Sequence, residues 1–331
     1  MACEKSNPDE YHYTIFTFGT LLEITLSDVS PELAETTFEQ LEKDYRDYHN
    51  SWTPWQESDL TDINTAIRQN KKIIPSPNVL PLIKQSVSLS DSSEGLFNPA
   101  IGDLINLWQF HKHDDPEIKP PDKSAIEKTL AKQPKMSDLI FENQYLSSKN
   151  SGVQLNFGAF AKGYAIDLSF KKLKMLGVHN AIINAGGDLS VSGTQGSRLW
   201  NIGIKHPRQD AIIASVALVD NESVFTSGDY ERYYIYNDQR YHHILDPDTG
   251  YPTKGTTSVT VIHDNAAVAD AAATALLVAG PARWHKIAKK LGIRYVMLIG
   301  ADGSIHMNPK MAKRIKLKDA SKSSILLSQP L

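Results

Sequence analysis

The chain has 331 residues, 41% of them hydrophobic and 22% charged, the balance of a soluble globular protein with room for one large domain or two ordinary ones. Its 35 basic and 38 acidic residues give a formal net charge of −3, and no Lys/Arg block is dense enough for a nucleic-acid surface, so no nucleic-acid partner is expected. The single cysteine, Cys3, excludes a disulfide framework and a cysteine metal site.

At the N-terminus, "MACEKS" followed by polar residues to Glu10 resembles the mature start of a bacterial lipoprotein. A chance cysteine in a frayed terminus is the alternative. The first reading implies a lipid anchor at Cys3 and a place in the bacterial periplasm, held on the cytoplasmic membrane. Residues 1–12 are accordingly read as a tail and 13–331 as one domain. From Thr14 to Leu26 the alternation of Ile15, Leu22, Ile24 and Leu26 predicts a strand pair broken at "FGT". Ser30-Pro31 is an N-cap and first-turn pair, and Leu33, Thr37, Leu41, Tyr45 and Tyr48 follow at helical spacing. "SWTPWQESDLTDIN" reads as a loop with two tryptophans. A helix is expected over Pro81 to Ser93, and "EGLFNPAIGDLINLWQF" reads as a turn leading into another. Residues 111–151 are polar and Pro-rich, a peripheral excursion with one short helical pattern near Ala125 to Ala131. "HKHDD" inside it reads as a solvated loop.

The second half opens with a helix over Phe160 to Met175 and a strand at Ala181 to Asn184. Short strands follow at Trp200 to Ile204, Ile213 to Val219, Arg232 to Tyr236, Tyr241 to Leu245 and Ser258 to His263. An Ala-rich helix, a second helix from Pro281 to about Gly292 and a strand at Tyr295 to Ile299 complete the pattern. Consecutive strands with no helix between them imply antiparallel pairing, so the fold class is α+β rather than doubly wound. The tail after Arg314 reads as loosely held.

Four segments carry chemistry. "VADAAATALLVAG" is a core helix capped by Asp264 or Asn265 and stopped by Gly280, too short and too charged to span a membrane. It places Asp270 and Thr274 at i and i+4, on one face, and a buried carboxylate there requires a cation, a donor or a metal. "LNFGAFAKGYAIDL" brings free N–H groups and Lys162 to a helix start, which suits a phosphate as well as it suits a glycine-permitted helix start with a surface lysine. "INAGGDL" ends a strand in two glycines, permitting positive φ or close approach of a ligand. "TSGDYERYY" and "YHHILDPDTGYP" pair a hydroxyl-rich turn with His242 and His243, which face opposite ways on a strand, so only one can face a site. "GAFAKG" lacks the residue order of a P-loop, "INAGGDL" lacks the third glycine of a dinucleotide fingerprint, and "DPDTG" lacks the glutamate of a calcium loop.

Taken in order, "FTFGT", "ESDLTDIN", "GLFNPAIGDLINLWQF", "NFGAFAKGYAID", "NAGGD", "TSGDY", "HILDPDTGYP" and "ADAAATA" resemble the motifs of the ApbE family, the FAD:protein FMN transferases, over roughly Thr14 to Gly300. The resemblance implies an ApbE-like fold of mixed and antiparallel sheets flanked by helices, with the FAD site between two subdomains. It implies a Mg2+-dependent enzyme that takes FAD as substrate, transfers FMN to a threonine hydroxyl of an acceptor flavoprotein and releases AMP. An FAD pyrophosphatase and a non-catalytic FAD-binding lipoprotein are the alternatives. Carried over to this chain, the metal ligands are Asp270, Thr274 and the Ala159 carbonyl. The FAD contacts are Phe18, Trp52, Leu96, Phe97, Asn98, Asn156, Lys162, Gly186, Gly187, Asp188, Ser227 and Ile244. His243 and Asp270 are the catalytic pair, with His243 expected to titrate near neutral pH and to deprotonate the acceptor. Asn98 and Asn156 stand where the family commonly has Asp, and Ala100 where it commonly has Thr. The amides keep hydrogen-bonding capacity but remove any base role there.

Overall fold

The computed structural model describes residues 10–112, 115, 117–318 and 324–331. Cys3, and His113 and Asp114 of "HKHDD", lie outside the described residues. The chain opens with a hairpin, β1 (Glu10–Thr17) and β2 (Thr20–Ser27), so the sheet begins inside the segment read as a tail. The turn between them has Phe18 at φ +51 and Gly19 at φ +71, the left-handed pair that matches the twist of a two-residue hairpin.

Helix α1 (Pro31–Trp52) starts as expected: Ser30 Oγ accepts from Leu33 N and Pro31 occupies the first turn. The following segment is not a loop. Trp52 ends α1, and α2 (Asp59–Arg68) is nucleated by a reciprocal capping pair of Ser58 and Thr61, with Leu60, Ile63 and Ile67 buried at helical spacing. Helices α3 (Leu80–Ser92), α4 (Gly102–Trp108) and α5 (Lys123–Leu130) fall where the spacing placed them. The segment 111–151 also carries the hairpin β3 (Leu139–Glu142) and β4 (Tyr145–Ser148). Met136, Leu139 and Leu146 enter the main core, so this segment is part of the body rather than an excursion from it.

Helix α6 (Ala161–Met175) precedes β5 (Asn180–Ala185), β6 (Asp188–Ser192), β7 (Trp200–Lys205), β8 (Ile212–Leu218), β9 (Ser223–Gly228), β10 (Tyr233–Tyr236), β11 (Gln239–His242) and β12 (Thr256–His263). Helix α7 (Ala266–Lys290) is capped by Asn265 and interrupted at Gly280, φ 66 and ψ 179, so it consists of two helical segments as the glycine and Pro281 predicted. Then come β13 (Tyr295–Gly300), β14 (Ile305–Met307), α8 (Pro309–Arg314), β15 (Ile315–Leu317) and β16 (Ile325–Leu327). The last two correct the expectation of a loose tail: β15 pairs with β8, and β16 pairs in parallel with β14.

Nine strands form one sheet in the order β1-β2-β5-β6-β9-β12-β13-β14-β16, with every pair antiparallel except the last. The α+β expectation holds. One face of this sheet packs on α1, α6 and the first segment of α7, in the main core that also takes in α2 and α3. Part of the other face packs against β7, β8 and α8 in a second core containing Trp200, Val216, Met297 and Met311. No described helix is long and apolar enough to cross a membrane.

Candidate active site

The centre of interest is the crossing of α6 and α7 over β6 and β9. Gly163, in the first turn of α6, has no side chain because there is no room for one. A Cβ there would lie 2.4 Å from the Ala266 carbonyl and 2.9 Å from Cβ of Asp270. This close approach lets the Gly163 N–H donate to Asp270 Oδ2 at 3.0 Å. Asp167, one turn further along α6, accepts from the N–H groups of Ala266 and Ala267 and fixes the start of α7 against it. Asp270 is 5% exposed. Burial raises its carboxyl well above the usual range; Asp188 adds to the rise, and Lys162 and the Gly163 N–H oppose it.

Lys162 lies beside Asp270 and forms an ion pair with Asp188 Oδ2. Burial pulls the ammonium down, but Asp188 and Asp270 outweigh it and its pKa rises to about 12, so it is a fixed positive charge. Asp188 was expected to contact FAD. Both of its oxygens are engaged, Oδ2 by Lys162 and Oδ1 by the Thr226 N–H at 2.9 Å, so it positions Lys162. Ser227 Oγ and Thr274 Oγ1 share a hydrogen bond of 3.1 Å, joining β9 to the same face of α7 as Asp270. Among the described residues no backbone N–H outside the regular elements donates to the Ala159 carbonyl.

No group of three or more His, Cys, Asp or Glu side chains comes together among the described residues. One carboxylate with an oxygen not engaged by Gly163, two hydroxyls and an uncommitted carbonyl are hard oxygen donors. They suit Mg2+ when substrate phosphates complete its shell. Asp270, Thr274 and Ala159 therefore fit that role.

Around this centre the expected contacts divide. Asn156 is 7% exposed, its Oδ1 accepting from the Gly158 N–H and its Nδ2 making no hydrogen bond among the described residues. Gly186 and Gly187, at φ +66 and +101, turn the chain between β5 and β6 and lie exposed on the rim. Thr20 of the first hairpin occupies the space a Cβ on Gly186 would need. Phe18, a bulky residue at positive φ, sits in the same rim, an arrangement that costs energy and marks a constrained position.

Trp52 is not an open stacking platform. It is 3% exposed, stacked on Tyr48 at 4.7 Å and parallel to Phe18 at 6.1 Å, with its indole N–H on the Asn78 carbonyl. Leu96, Phe97 and Ile244 are buried residues. Asn98 donates to the Pro134 carbonyl and accepts from the Ala100 N–H, so its amide holds the loop and is not open toward the centre.

The two histidines separate, but not by strand alternation: β11 ends at His242, and His243 lies in the bend that follows. His242 is buried against the Thr253 carbonyl. His243 is half-buried, with its N–H and its Nδ1 both directed at the Arg232 carbonyl, at 3.0 and 3.2 Å. With Nδ1 as donor, Nε2 carries the lone pair. The expectation of titration near neutrality fails: burial, then Arg232, His242 and Lys162, push His243 down to about 3 and keep it neutral. Arg232 itself was missed by the sequence reading, although its guanidinium lies 3.1 Å from where a Cβ on Gly19 would be. Gly163 was missed too, and a glycine in a first helical turn was the available signal. A separate cavity of about 350 Å³, lined by His206, Arg208, Asp302 and Leu326, shares none of these residues.

Comparison with known proteins gives the family and the fold. The ApbE family profile matches residues 18–297. The chain is 39% identical over 303 residues to a FAD:protein FMN transferase of Rhodobacter capsulatus, covering 92% of this chain but 58% of that protein's length. A protein of the same name from Klebsiella pneumoniae is 35% identical over 259 residues, 76% of this chain and 77% of that one. Among solved structures, the ApbE protein of Thermotoga maritima superimposes with a TM-score of 0.83 at 31% identity, covering 92% of this chain and 99% of that one. The Vibrio cholerae flavin transferase ApbE shares the fold, with a TM-score of 0.81 at 23% identity, covering 93% of this chain and 99% of that one. With more than half of its length matched by the family profile, the chain belongs to the ApbE family.

Proposed function

We propose that this chain transfers the FMN half of FAD to a threonine hydroxyl of an acceptor flavoprotein, in a Mg2+-dependent reaction that releases AMP. The observation that carries the reading is the junction of Lys162, Asp270, Thr274 and Ser227, where a fixed cation, a buried carboxylate and two hydroxyls meet at a helix start. Asp270, Thr274 and the Ala159 carbonyl would hold Mg2+, which when bound would supply charge neutralisation and Lewis-acid polarisation at the diphosphate. Lys162, kept protonated and aimed by Asp188, holds the negative charge that develops on the diphosphate. The Asn156 amide has an N–H to offer the same oxygens. Phe18 and the Gly186-Gly187 turn form the rim against which the rest of FAD lies.

In the transfer step the threonine Oγ bonds to the FMN-side phosphorus, the bond to the AMP phosphate oxygen breaks, and the hydroxyl proton leaves to a base. His243 suits that role because its Arg232 contact fixes the tautomer with Nε2 open. The test is to incubate the protein with FAD, with and without Mg2+ and a threonine-bearing acceptor, and to read AMP release beside in-gel flavin fluorescence. AMP with no flavin on any acceptor would make the chain an FAD pyrophosphatase, and tight FAD binding without AMP would make it a binding protein. The "MACEKS" reading adds a lipid anchor at Cys3 and a periplasmic place on the cytoplasmic membrane. Fractionation of cells expressing the full-length precursor, with Cys3→Ser beside it, tests that.

A further inference from the structure

Basic residues scattered through the C-terminal part of the sequence come together only in the fold. Residues 281–318 hold ten Lys/Arg and one carboxylate, in a chain whose formal net charge is −3. Glu94 takes three of them, Arg283, Lys286 and Lys290. Lys289, Arg294, Lys310 and Lys313 are exposed, and no carboxylate pairs with them among the described residues. The Asn308 side chain, at the start of α8, bonds the Arg294 carbonyl and the Val296 N–H, which draws the end of α7, the Arg294 loop and α8 into one surface.

A second feature adjoins this surface. β16 is the last strand of the nine-stranded sheet and presents Ile325, Leu326 and Leu327 at 40, 47 and 60% exposure. The Ser328 N–H bonds the Met307 carbonyl, and the Gln329 carbonyl meets His285, so the apolar strand runs between the lysines of α7 and those of α8. An uncharged, exposed edge strand invites a covering partner. A second copy paired along this edge would bring the two sets of lysines face to face. Apolar side chains framed by unpaired cations match the interface of an anionic bilayer, which takes both.

We propose that this edge is a docking surface for an anionic lipid membrane, with Ile325 and Leu327, which share one face of the strand, at the headgroup boundary and Lys289, Arg294, Lys310 and Lys313 on the lipid phosphates. β16 lies four strand positions from β9, about 19 Å from Ser227 by the usual strand spacing. Docking there leaves the site between α6 and α7 open to solvent.

The test is vesicle flotation of the full chain carrying Cys3→Ser, so that no attached lipid contributes. Vesicles of phosphatidylcholine alone are compared with vesicles that also contain phosphatidylglycerol, at low and high salt. The chain is expected to float only with the anionic vesicles and less as salt rises. Reversing Lys289, Arg294, Lys310 and Lys313 to Glu is expected to cut binding roughly tenfold or more. Reversing Lys43, Lys71, Lys84 and Lys128, which changes the net charge equally, is expected to leave most of it. Ile325→Ser with Leu327→Ser is expected to weaken binding at every salt concentration, and thermal melting checks that each variant is folded. No flotation with anionic vesicles, equal flotation with neutral ones, or equal loss in the two charge-reversed variants would overturn the proposal. Retention on polyglutamate without flotation would overturn it in favour of an acidic protein partner.

Discussion

Gly163 and Asp270 meet across the α6–α7 crossing with the backbone N–H of one on the carboxylate of the other, at 3.0 Å, in a space too narrow for a β-carbon. Helix packing and site geometry are therefore one contact. Gly163→Ala is expected to push the helices apart, costing about 1–3 kcal/mol as an overpacked core position does. FAD cleavage should fall further than the stability loss alone explains, because the carboxylate loses its donor and its place together. Urea denaturation beside AMP release checks this; wild-type stability with wild-type turnover would show that the space is not needed.

Asp270→Asn is expected to remove Mg2+-dependent FAD cleavage while leaving a folded protein, because the amide keeps the shape and can still accept from Gly163 but cannot balance a dication. Thr274→Val should be milder, about tenfold, the scale of one neutral contact. Its neighbour Ser227 loses a partner in the exchange. Full turnover by Asp270→Asn over a Mg2+ titration would move the metal elsewhere.

What the sequence disclosed here follows from how local each signal is. Ser30-Pro31 and Gly280-Pro281 act within one helical turn, and the structure places a cap and a break at those positions. Strands β6 and β9 were missed for different reasons: "DLSVS" alternates but is only five residues long and directly follows a two-glycine turn, while "SVFTSG" does not alternate, because β9 is buried along most of its length and β6 throughout, with Ser190 bonded to Ser223 inside. The Lys162–Asp188 pair joins residues 26 apart through helix α6, strand β5 and a turn, and neither motif alone names its partner. Trp52 was misplaced because the polar, Pro-containing text after it hid the short helix α2.

Glu94 gives a pH dependence with a definite sign. Hydrogen bonds from Lys286 and Lys290 lower its carboxyl from 4.5 to about 2. A carboxylate with a depressed folded-state pKa contributes stability that is fully present above its ordinary pKa and is lost as pH falls through the window from 4.5 toward 2. Glu94→Gln should therefore flatten the acid limb of the stability curve over that window. Added salt should shrink the difference, since the group is near the surface. Denaturation midpoints of both proteins across the acid range provide the measurement, and parallel curves would show that the lysines do not hold this carboxylate.

His243 provides the sharpest test of the proposed chemistry. Burial and the neighbouring Arg232 hold its imidazole neutral far below the usual histidine range, so its Nε2 lone pair is present at every working pH, although the same shift makes it a weaker proton acceptor than an ordinary histidine. His243→Ala should retain FAD binding and lose most FMN transfer to a threonine-bearing acceptor. His242→Ala should keep more transfer, because that ring faces the Thr253 carbonyl and not Arg232. In the wild type, kcat/KM for transfer reports groups in the free enzyme and should show no break near pH 6.5 that disappears in the His243 variant. A histidine-dependent break there, or unchanged transfer by His243→Ala measured as flavin fluorescence on the acceptor, would remove His243 from the role of base and leave Lys162 and Asp270 to be tested for it.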